Sequence, residues 1–159
     1  MQVDIEPILK SLLDSMGATY KEISHVEVAG QQIYMIAADD ARQLIGGHGD
    51  AIYAIDYLVK KIVEQKNGPR VESTEAPEEH FLIDVNEYRT KQIKDLQTKA
   101  LMMAERARSF QYDVELSPMS AYERLIVHTT LQSAPNVKTE SQGEGRNRRV
   151  VIRYAAVWE

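Results

Sequence analysis

The apolar residues at the start of the chain recur at the spacing of an α-helix. Intervals of three and four residues over 4–16 place them on one face, which predicts a short amphipathic helix. Asp4 is placed to cap its first turn, and Gly17 to end it in the left-handed conformation. The apolar face consists of Ile5, Ile8, Leu9, Leu12, Leu13 and Met16.

The rest of the first half changes from one long period to short runs rich in β-branched and aromatic residues, separated by turn residues. Such runs indicate strands, and a two-residue connection between two of them indicates a hairpin. The predicted elements are strands over 19–28 and 31–37 around Ala29-Gly30, a helix over 39–45 capped by Asp39 or Asp40, the loop Gly46-Gly47-His48-Gly49, and a helix over 50–65.

The second half contains two further helical patterns. The longer has one apolar stripe formed by Ile93, Leu96, Ala100, Met103, Ala107 and Phe110, and the shorter places Tyr122, Leu125, Ile126 and Thr129 on one side. The predicted elements are a polar linker over 66–80, a strand over 81–85, a helix over 87–109, a strand over 112–116, a helix over 119–132 with Pro118 at its start, a polar stretch over 134–149 and a strand over 150–157.

The order of elements is α-β-β-α-α-β, followed by α-β-α-β. Helices and strands are mixed without strict alternation, which favours an α+β fold class over one doubly wound sheet. The polar linker and the following strand place the natural boundary near 85–87. We therefore expect two α+β domains, at 1–85 and 86–159.

Composition narrows the class of protein. The chain has 159 residues, 43% of them hydrophobic, and no cysteine, which excludes disulfides and thiolate metal sites. No apolar run approaches the length of a membrane span, and the acidic start is not typical of a secretory signal. We expect a cytoplasmic protein with no membrane association.

The net charge of −5 hides a division between the two halves. Residues 1–85 hold 7 Lys+Arg and 15 Asp+Glu, a net of −8, whereas residues 86–159 hold 12 and 9, a net of +3. The net negative charge of the whole chain therefore does not exclude a polyanionic ligand. The division of charge places most of the electrostatic attraction for such a ligand in the second half.

Gly46-Gly47-His48-Gly49 joins two helices and leaves room for a ligand backbone. The N-terminus of the following helix offers backbone N–H groups to a phosphate, and His48 can add a hydrogen bond. The alternative is a plain helix–helix turn with a glycine cap. Lys or Arg is missing from the loop, and Asp50 follows it, so the electrostatic attraction should be weak.

In the second half, Arg124 and His128 lie one turn apart on the same helix face. A guanidinium and an imidazole together can contact a phosphate and stack on a base. The alternatives are a solvated face or a buried, hydrogen-bonded histidine. The following loop and strand carry five basic residues: Lys138, Arg146, Arg148, Arg149 and Arg153. We expect the first four to contact phosphates, and the alternative is a solvated charged loop. Tyr154 and Trp158 are candidates for base stacking, although core packing is the simpler role.

These motifs occur together in a recognisable order. Residues 4–85, with the glycine loop between two helices, resemble a type II KH domain, in which such a loop clamps the nucleic-acid backbone. Residues 86–154, with Leu116-Ser117-Pro118-Met119 before Arg124 and His128, resemble the R-three-H domain, which binds single-stranded nucleic acid. A KH domain followed by an R-three-H domain, joined at Asp84-Val85, is similar to the bacterial Jag/KhpB family (SpoIIIJ-associated protein).

The resemblance implies an RNA-binding regulator or RNA chaperone, linked to cell elongation and envelope homeostasis, that works with a small single-KH partner. Many family members carry an N-terminal Jag-N domain, which we expect this chain to lack. The predicted ligand is single-stranded RNA, with single-stranded DNA an alternative. The alternative function makes the KH half a dimerisation module and leaves nucleic acid to the R-three-H half.

Catalysis is not expected. The histidines His25, His48, His80 and His128 are scattered and form no zinc-binding pattern. Glu78-Glu79-His80 is explained more simply by an acidic loop than by a metal site. Serine-hydrolase, P-loop and dinucleotide motifs are missing from the sequence. We therefore expect no enzyme, no metal and no cofactor.

Overall fold

The computed structural model describes residues 3–68 and 81–156. The chain divides into two compact units, Met1–Arg89 and Thr90–Glu159. Both contain helices packed on a small sheet, so the predicted α+β class is confirmed. Trp158, the triplet Glu78-Glu79-His80 and most of the predicted linker lie outside the described residues.

The first unit has the predicted α-β-β-α-α-β order. Its central strand is β2, which pairs antiparallel with β1 and parallel with β3. The glycine loop forms a single 3-10 turn over Gly47–Gly49 between the second and third helices. The elements are α1 (Ile5–Ser15), β1 (Glu22–Val28), β2 (Gln31–Ala37), α2 (Arg42–Ile45), α3 (Asp50–Asn67) and β3 (Phe81–Val85).

One apolar core holds the first unit together. Leu9 and Leu13 from α1 and Ile52 and Val59 from α3 are fully buried among residues of β2 and β3. The caps of α1 agree with the prediction, because the Asp4 carboxylate accepts a hydrogen bond from the N–H of Glu6. Packing of α1 and α3 on the sheet fixes the position at which α3 begins. The glycine loop lies at that position.

The second unit is built around the strand β6, which pairs antiparallel with β4 on one side and β5 on the other. The predicted polar stretch over 134–149 contains a strand that the sequence analysis missed. The elements are α4 (Tyr88–Phe110), which begins in the first unit, β4 (Val114–Glu115), α5 (Ala121–Leu131), β5 (Val137–Gln142) and β6 (Arg149–Tyr154), with a 3-10 turn over Gly145–Asn147.

Alanines let α4 approach the sheet of the second unit closely. Ala100, Ala104 and Ala107 are fully buried and pack with Val127 from α5 and Ile152 from β6. Small side chains shorten the distance between a helix and its neighbours, because nothing beyond Cβ separates the backbones. The predicted stripe is correct at Ile93, Ala100 and Ala107 but wrong at Phe110, which is 67% exposed.

The buried face of α5 differs from the prediction. Leu125 and Thr129 are exposed, whereas Ile126, Val127 and Leu131 are buried. The helix begins after Ser120 rather than at Pro118, because Ser120 and Glu123 form a reciprocal capping box. The shift in the buried face brings Arg124 and His128 to the edge of the core.

Among the described residues, no helix is both long and apolar enough to cross a membrane.

Candidate nucleic-acid interface

The glycine loop opens at the start of α3. Gly46, Gly47 and His48 are exposed, whereas Gly49 is buried. No side chain caps the first turn of α3, and Gly49 occupies the cap position with a φ of 84°. The loop therefore presents backbone N–H groups and the positive end of an 18-residue helix to solvent.

Two of the loop glycines are required by geometry. A Cβ on Gly46 would lie 2.8 Å from the backbone nitrogen of Ala51, and a Cβ on Gly49 would lie 2.9 Å from the Tyr53 ring. At Gly47 the same Cβ would have no atom of the described part of the chain within 4 Å, apart from its chain neighbours. Gly47 is thus open to substitution, and the conformation of the loop does not depend on it.

The arginine nearest the glycine loop is already paired with a carboxylate. Arg42, the basic residue nearest in sequence, donates from Nε and Nη2 to the carboxylate of Asp40 at 3.0 and 2.9 Å. The Arg42 guanidinium lowers the pKa of Asp40 to about 2. Asp50 is exposed just after the loop. A phosphate at this site would therefore rely on backbone N–H groups and the helix dipole.

A buried ionic network lies on α3 behind the loop. Asp56, 7% exposed, accepts from the backbone N–H of Ile83 at 3.0 Å and from Arg89 Nη1 at 2.9 Å. Lys60 also contacts this carboxylate, at 2.7 Å. The Arg89 guanidinium lies 4.9 Å from the centre of the Tyr53 ring. The network closes the outer edge of β3 and supports the ring that packs on Gly49.

Arg124 is half-buried and tied to a backbone carbonyl. Its Nη1 donates to the carbonyl of Met119 at 2.8 Å, while the N–H of Met119 donates to the carbonyl of Arg148 at 3.1 Å. The Met119 backbone therefore joins α5 to the turn before β6. In the described ranges Arg124 forms no ion pair, so its positive charge is not neutralised locally.

His128 is held on both sides of its ring by hydroxyl groups. Nδ1 lies 2.6 Å from Thr139 Oγ1, and Nε2 lies 3.0 Å from Ser141 Oγ. Burial lowers the pKa of the imidazole below 6.5, and the charge of Arg124 lowers it further. The structure thus places His128 beside Arg124, as the spacing predicts, with both ring nitrogens already engaged by the protein.

The basic residues after α5 fall into two groups. Lys138, Arg146 and Arg148 are exposed, and none of them forms an ion pair with any residue that the structure describes. Arg149 donates to Glu115, and Arg153 pairs with Glu140 and with Asp113, the latter at 2.9 Å. The predicted phosphate-contacting role of Arg149 therefore competes with an internal carboxylate.

Several residues at this surface escaped the sequence analysis. Thr139 and Ser141 alternate along β5 and share the face that meets α5, but the strand itself was missed. Glu115 and Asp113 lie before α5 in the sequence. Their carboxylates neutralise basic residues that come much later in the chain. The exposed rings of Phe110 and Tyr112 lie 6.0 Å apart and offer an aromatic surface, whereas periodicity assigned Phe110 to the core. The half-polar segment that follows α5 is the sequence signal that could have indicated β5.

A match to a known domain family defines the class of the second unit. Residues 94–154 match the R-three-H domain family, so this unit is an R-three-H domain. Arg124 and His128 lie within the matched residues, and their assignment as the Arg-x-x-x-His pair of the domain stays a prediction. The assignment of the first unit to the KH class stays a prediction.

The chain is also similar to three proteins named RNA-binding protein KhpB. That of Clostridium symbiosum is 28% identical over 145 residues, covering 91% of this chain and 62% of that protein. That of Bacillus subtilis (strain 168) is 31% identical over 123 residues, covering 76% and 55%. That of Lactiplantibacillus plantarum is 27% identical over 153 residues, covering 92% and 45%.

The similarity extends over both units and confirms the resemblance to the Jag/KhpB family. This chain spans between 45% and 62% of the length of these three relatives.

Proposed function

We propose that this protein binds single-stranded RNA, with most of its electrostatic affinity in the R-three-H domain. The observation that carries the proposal is a group of four cations that form no ion pair with any described residue, two of which, Arg124 and Arg148, are connected through the Met119 backbone. Nucleic-acid binding by exposed Lys and Arg is sequence-tolerant and depends on salt, because each phosphate contact releases counterions. The group consists of Arg124, Lys138, Arg146 and Arg148.

We propose further that the first unit is a type II KH domain and that 1–85 and 86–159 are the two domains. Its loop, Gly46 to Gly49, would hold a phosphate by backbone N–H groups. Each domain would hold its own stretch of the same strand, and a short connection gives the second contact a high effective concentration. Two individually weak sites then bind more tightly together than either one alone.

A matched pair of variants tests the electrostatic part. Arg146→Gln and Arg149→Gln each remove one positive charge from positions three residues apart, but only Arg149 has a carboxylate partner among the described residues. With a fluorescent single-stranded RNA, we expect Arg146→Gln to weaken binding and to reduce the slope of log K against log[salt] by roughly 0.7. Arg149→Gln should leave that slope unchanged. Equal slopes for wild type and both variants would contradict the proposal.

A double variant tests the glycine loop. Gly47→Asp with His48→Asp adds negative charge at two exposed positions, and Asp tolerates the left-handed φ of 54° at position 48. We expect RNA affinity to fall sharply while thermal unfolding stays near that of wild type. The uncharged pair Gly47→Asn with His48→Asn serves as the control. Unchanged affinity in the charged variant would remove the loop from the binding surface.

A second candidate function follows from the surface of α3. Tyr57 and Leu58 are adjacent and exposed, and the net charge of the first half is −8. In this reading the first unit is a protein-interaction module that dimerises or binds a small KH partner, and only the R-three-H domain binds nucleic acid. Light scattering of wild type and a Tyr57→Ser variant with Leu58→Ser would detect such self-association.

The remaining parts of the proposal concern cellular role. We propose a binding protein rather than an enzyme, acting as a regulator or chaperone of RNA. Because its proposed ligand is RNA, its proposed location is the cytoplasm. Crosslinking in cells, followed by sequencing of the bound nucleic acid, would identify the targets and separate RNA from single-stranded DNA.

A further inference from the structure

The two hydrogen bonds of His128 determine which proton remains available at this site. A neutral imidazole has one N–H donor and one acceptor nitrogen. Because both nitrogens face hydroxyls, one hydroxyl must donate to the ring and the other must accept from it. The accepting hydroxyl keeps its own proton for another partner.

The distances indicate which hydroxyl is which. Hydroxyl donors form shorter hydrogen bonds than N–H donors. The 2.6 Å separation of Thr139 Oγ1 from Nδ1 fits a donating hydroxyl, and the 3.0 Å separation of Ser141 Oγ from Nε2 fits a donating ring N–H. Under this assignment, Thr139 uses its proton on the ring and Ser141 does not.

The Ser141 hydroxyl has a proton for which the described residues supply no acceptor. The Ser141 side chain is half-buried on β5, two residues before Gly143, and His128 is its one hydrogen-bond partner in the parts of the chain that the structure describes. Arg124, one turn before His128 on α5, forms no ion pair with any residue of the ranges 3–68 and 81–156. A hydroxyl donor and a guanidinium that forms no ion pair with a described residue are both suitable donors for phosphate oxygens.

We propose that the Ser141 hydroxyl donates a hydrogen bond to an RNA phosphate oxygen and that His128 is a positioning residue rather than a direct contact. Thr139 fixes the tautomer of His128, and His128 fixes the direction of the Ser141 proton. The inference rests on the proposed RNA binding. It deepens that function by assigning the contact to a strand residue.

The experiment measures RNA affinity of full-length variants by fluorescence anisotropy, with thermal unfolding recorded for each. Ser141→Ala should weaken binding about tenfold, the usual effect of losing one hydrogen bond to a charged group, while Ser141→Thr, which keeps the hydroxyl, should bind like wild type. Thr139→Val should weaken binding as well, because the ring is then free to turn its bare nitrogen towards Ser141.

Coupling between His128 and Ser141 is the decisive readout. His128→Gln keeps an N–H donor near the position of Nε2 and should retain most of the affinity, whereas His128→Ala should lose about as much as Ser141→Ala. The double variant His128→Ala with Ser141→Ala should bind no more weakly than either single variant. Additive losses would show that His128 contacts RNA independently and would overturn the proposal.

Two further outcomes are distinguishable. If Ser141→Ala weakens binding to RNA but not to DNA of the same sequence, the hydroxyl contacts a ribose 2′ oxygen, and the phosphate assignment is wrong. If wild-type protein binds neither nucleic acid in a salt-dependent way, the proposed function itself fails. A loss of affinity accompanied by a large fall in thermal stability would assign Ser141 a role in folding and would also overturn the proposal.

Discussion

Gly49 connects the glycine loop to two aromatic rings. Its φ of 84° is in the left-handed region, and a Cβ there would lie 2.9 Å from Tyr53 and 3.0 Å from Tyr88. Gly47, two residues earlier, has neither constraint. The two glycines look equivalent in the sequence, yet one is a requirement of the fold and the other leaves space that a ligand can use.

Substitution by alanine should separate these two roles. We expect Gly49→Ala to lower the free energy of unfolding by about 2 kcal/mol or more, from left-handed strain and from displacement of the rings. Gly47→Ala should change it by less than about 0.5 kcal/mol. Urea denaturation of both variants checks this. Equal stability of the two variants would mean that the rings do not hold Gly49.

His128 should make the stability of the protein depend on pH. Burial lowers its pKa below 6.5 in the folded chain, with a smaller contribution from Arg124. As pH falls through 6.5, the unfolded chain binds a proton that the folded chain does not bind, so the free energy of unfolding falls. It stops falling below the folded pKa. The slope from this group cannot exceed about 1.4 kcal/mol per pH unit.

Comparison with His128→Gln isolates that contribution. Other groups titrate in both proteins, so the measured quantity is the difference in unfolding free energy between wild type and variant, from urea denaturation at about pH 7.5 and about pH 5.5. We expect the advantage of wild type to shrink at the lower pH. A difference that stays constant, or grows on acidification, would contradict a lowered pKa.

At the scale of elements, local periodicity was sufficient for most of the fold. The long helices α1, α3 and α4 and the hairpin β1–β2 each carry a strong pattern, and their predicted bounds agree with the structure within a few residues. β5 was missed because Val137 is its one buried residue. The strand is fixed by its hydrogen bonds to β6, and single-sequence periodicity contains no information about such pairing.

The same reason explains why only part of the candidate site could be predicted from the sequence. Arg124 and His128 are brought together by helix geometry within one element, which spacing shows directly. Their partners Thr139 and Ser141 come from β5, and the carboxylate that pairs with Arg149 comes from β4. Contacts between elements depend on tertiary packing, so sequence reasoning counted Arg149 as a free cation.

Asp56 protects the outer edge of β3, which is an edge strand of its sheet. Its carboxylate occupies the N–H of Ile83, and Arg89 approaches the carbonyl of the same residue at 3.4 Å. We expect Asp56→Ala to cost about 3 kcal/mol of unfolding free energy, because Arg89, 9% exposed, then loses its buried carboxylate. Chemical denaturation measures this loss.

The double variant Asp56→Ala with Arg89→Met provides the control. Removing both charges also removes the buried guanidinium that has lost its contact with Asp56, so part of the lost stability should return. If the double variant is less stable than Asp56→Ala alone, loss of the ion pair does not explain the destabilisation. Loss of the hydrogen bond between Asp56 and β3 would then explain it.

At the scale of the whole molecule, charge is divided between the two halves, −8 and +3. A strand of RNA would therefore be attracted mainly to the second half and repelled by much of the first half. Three phosphate contacts there predict a slope of log K against log[salt] of roughly −2 on single strands. Anisotropy titrations over a range of salt concentrations measure this slope. A slope near zero would mean that the unpaired cations do not contact phosphates.

The open position at Gly47 allows the two candidate roles of the first unit to be separated by adding charge. Gly47→Lys places a cation where a Cβ meets no described neighbour, so the fold should be unaffected. If RNA runs over the glycine loop, affinity should rise severalfold at low salt and the slope should steepen by roughly 0.7, the contribution of one further contact. Lys61→Gln with Gly47→Lys keeps the net charge of wild type, so a gain that persists in this variant comes from the position of the new charge and not from the total. If both variants leave the slope as it is in wild type, RNA does not reach the loop, and the protein-interaction role of the first unit is favoured.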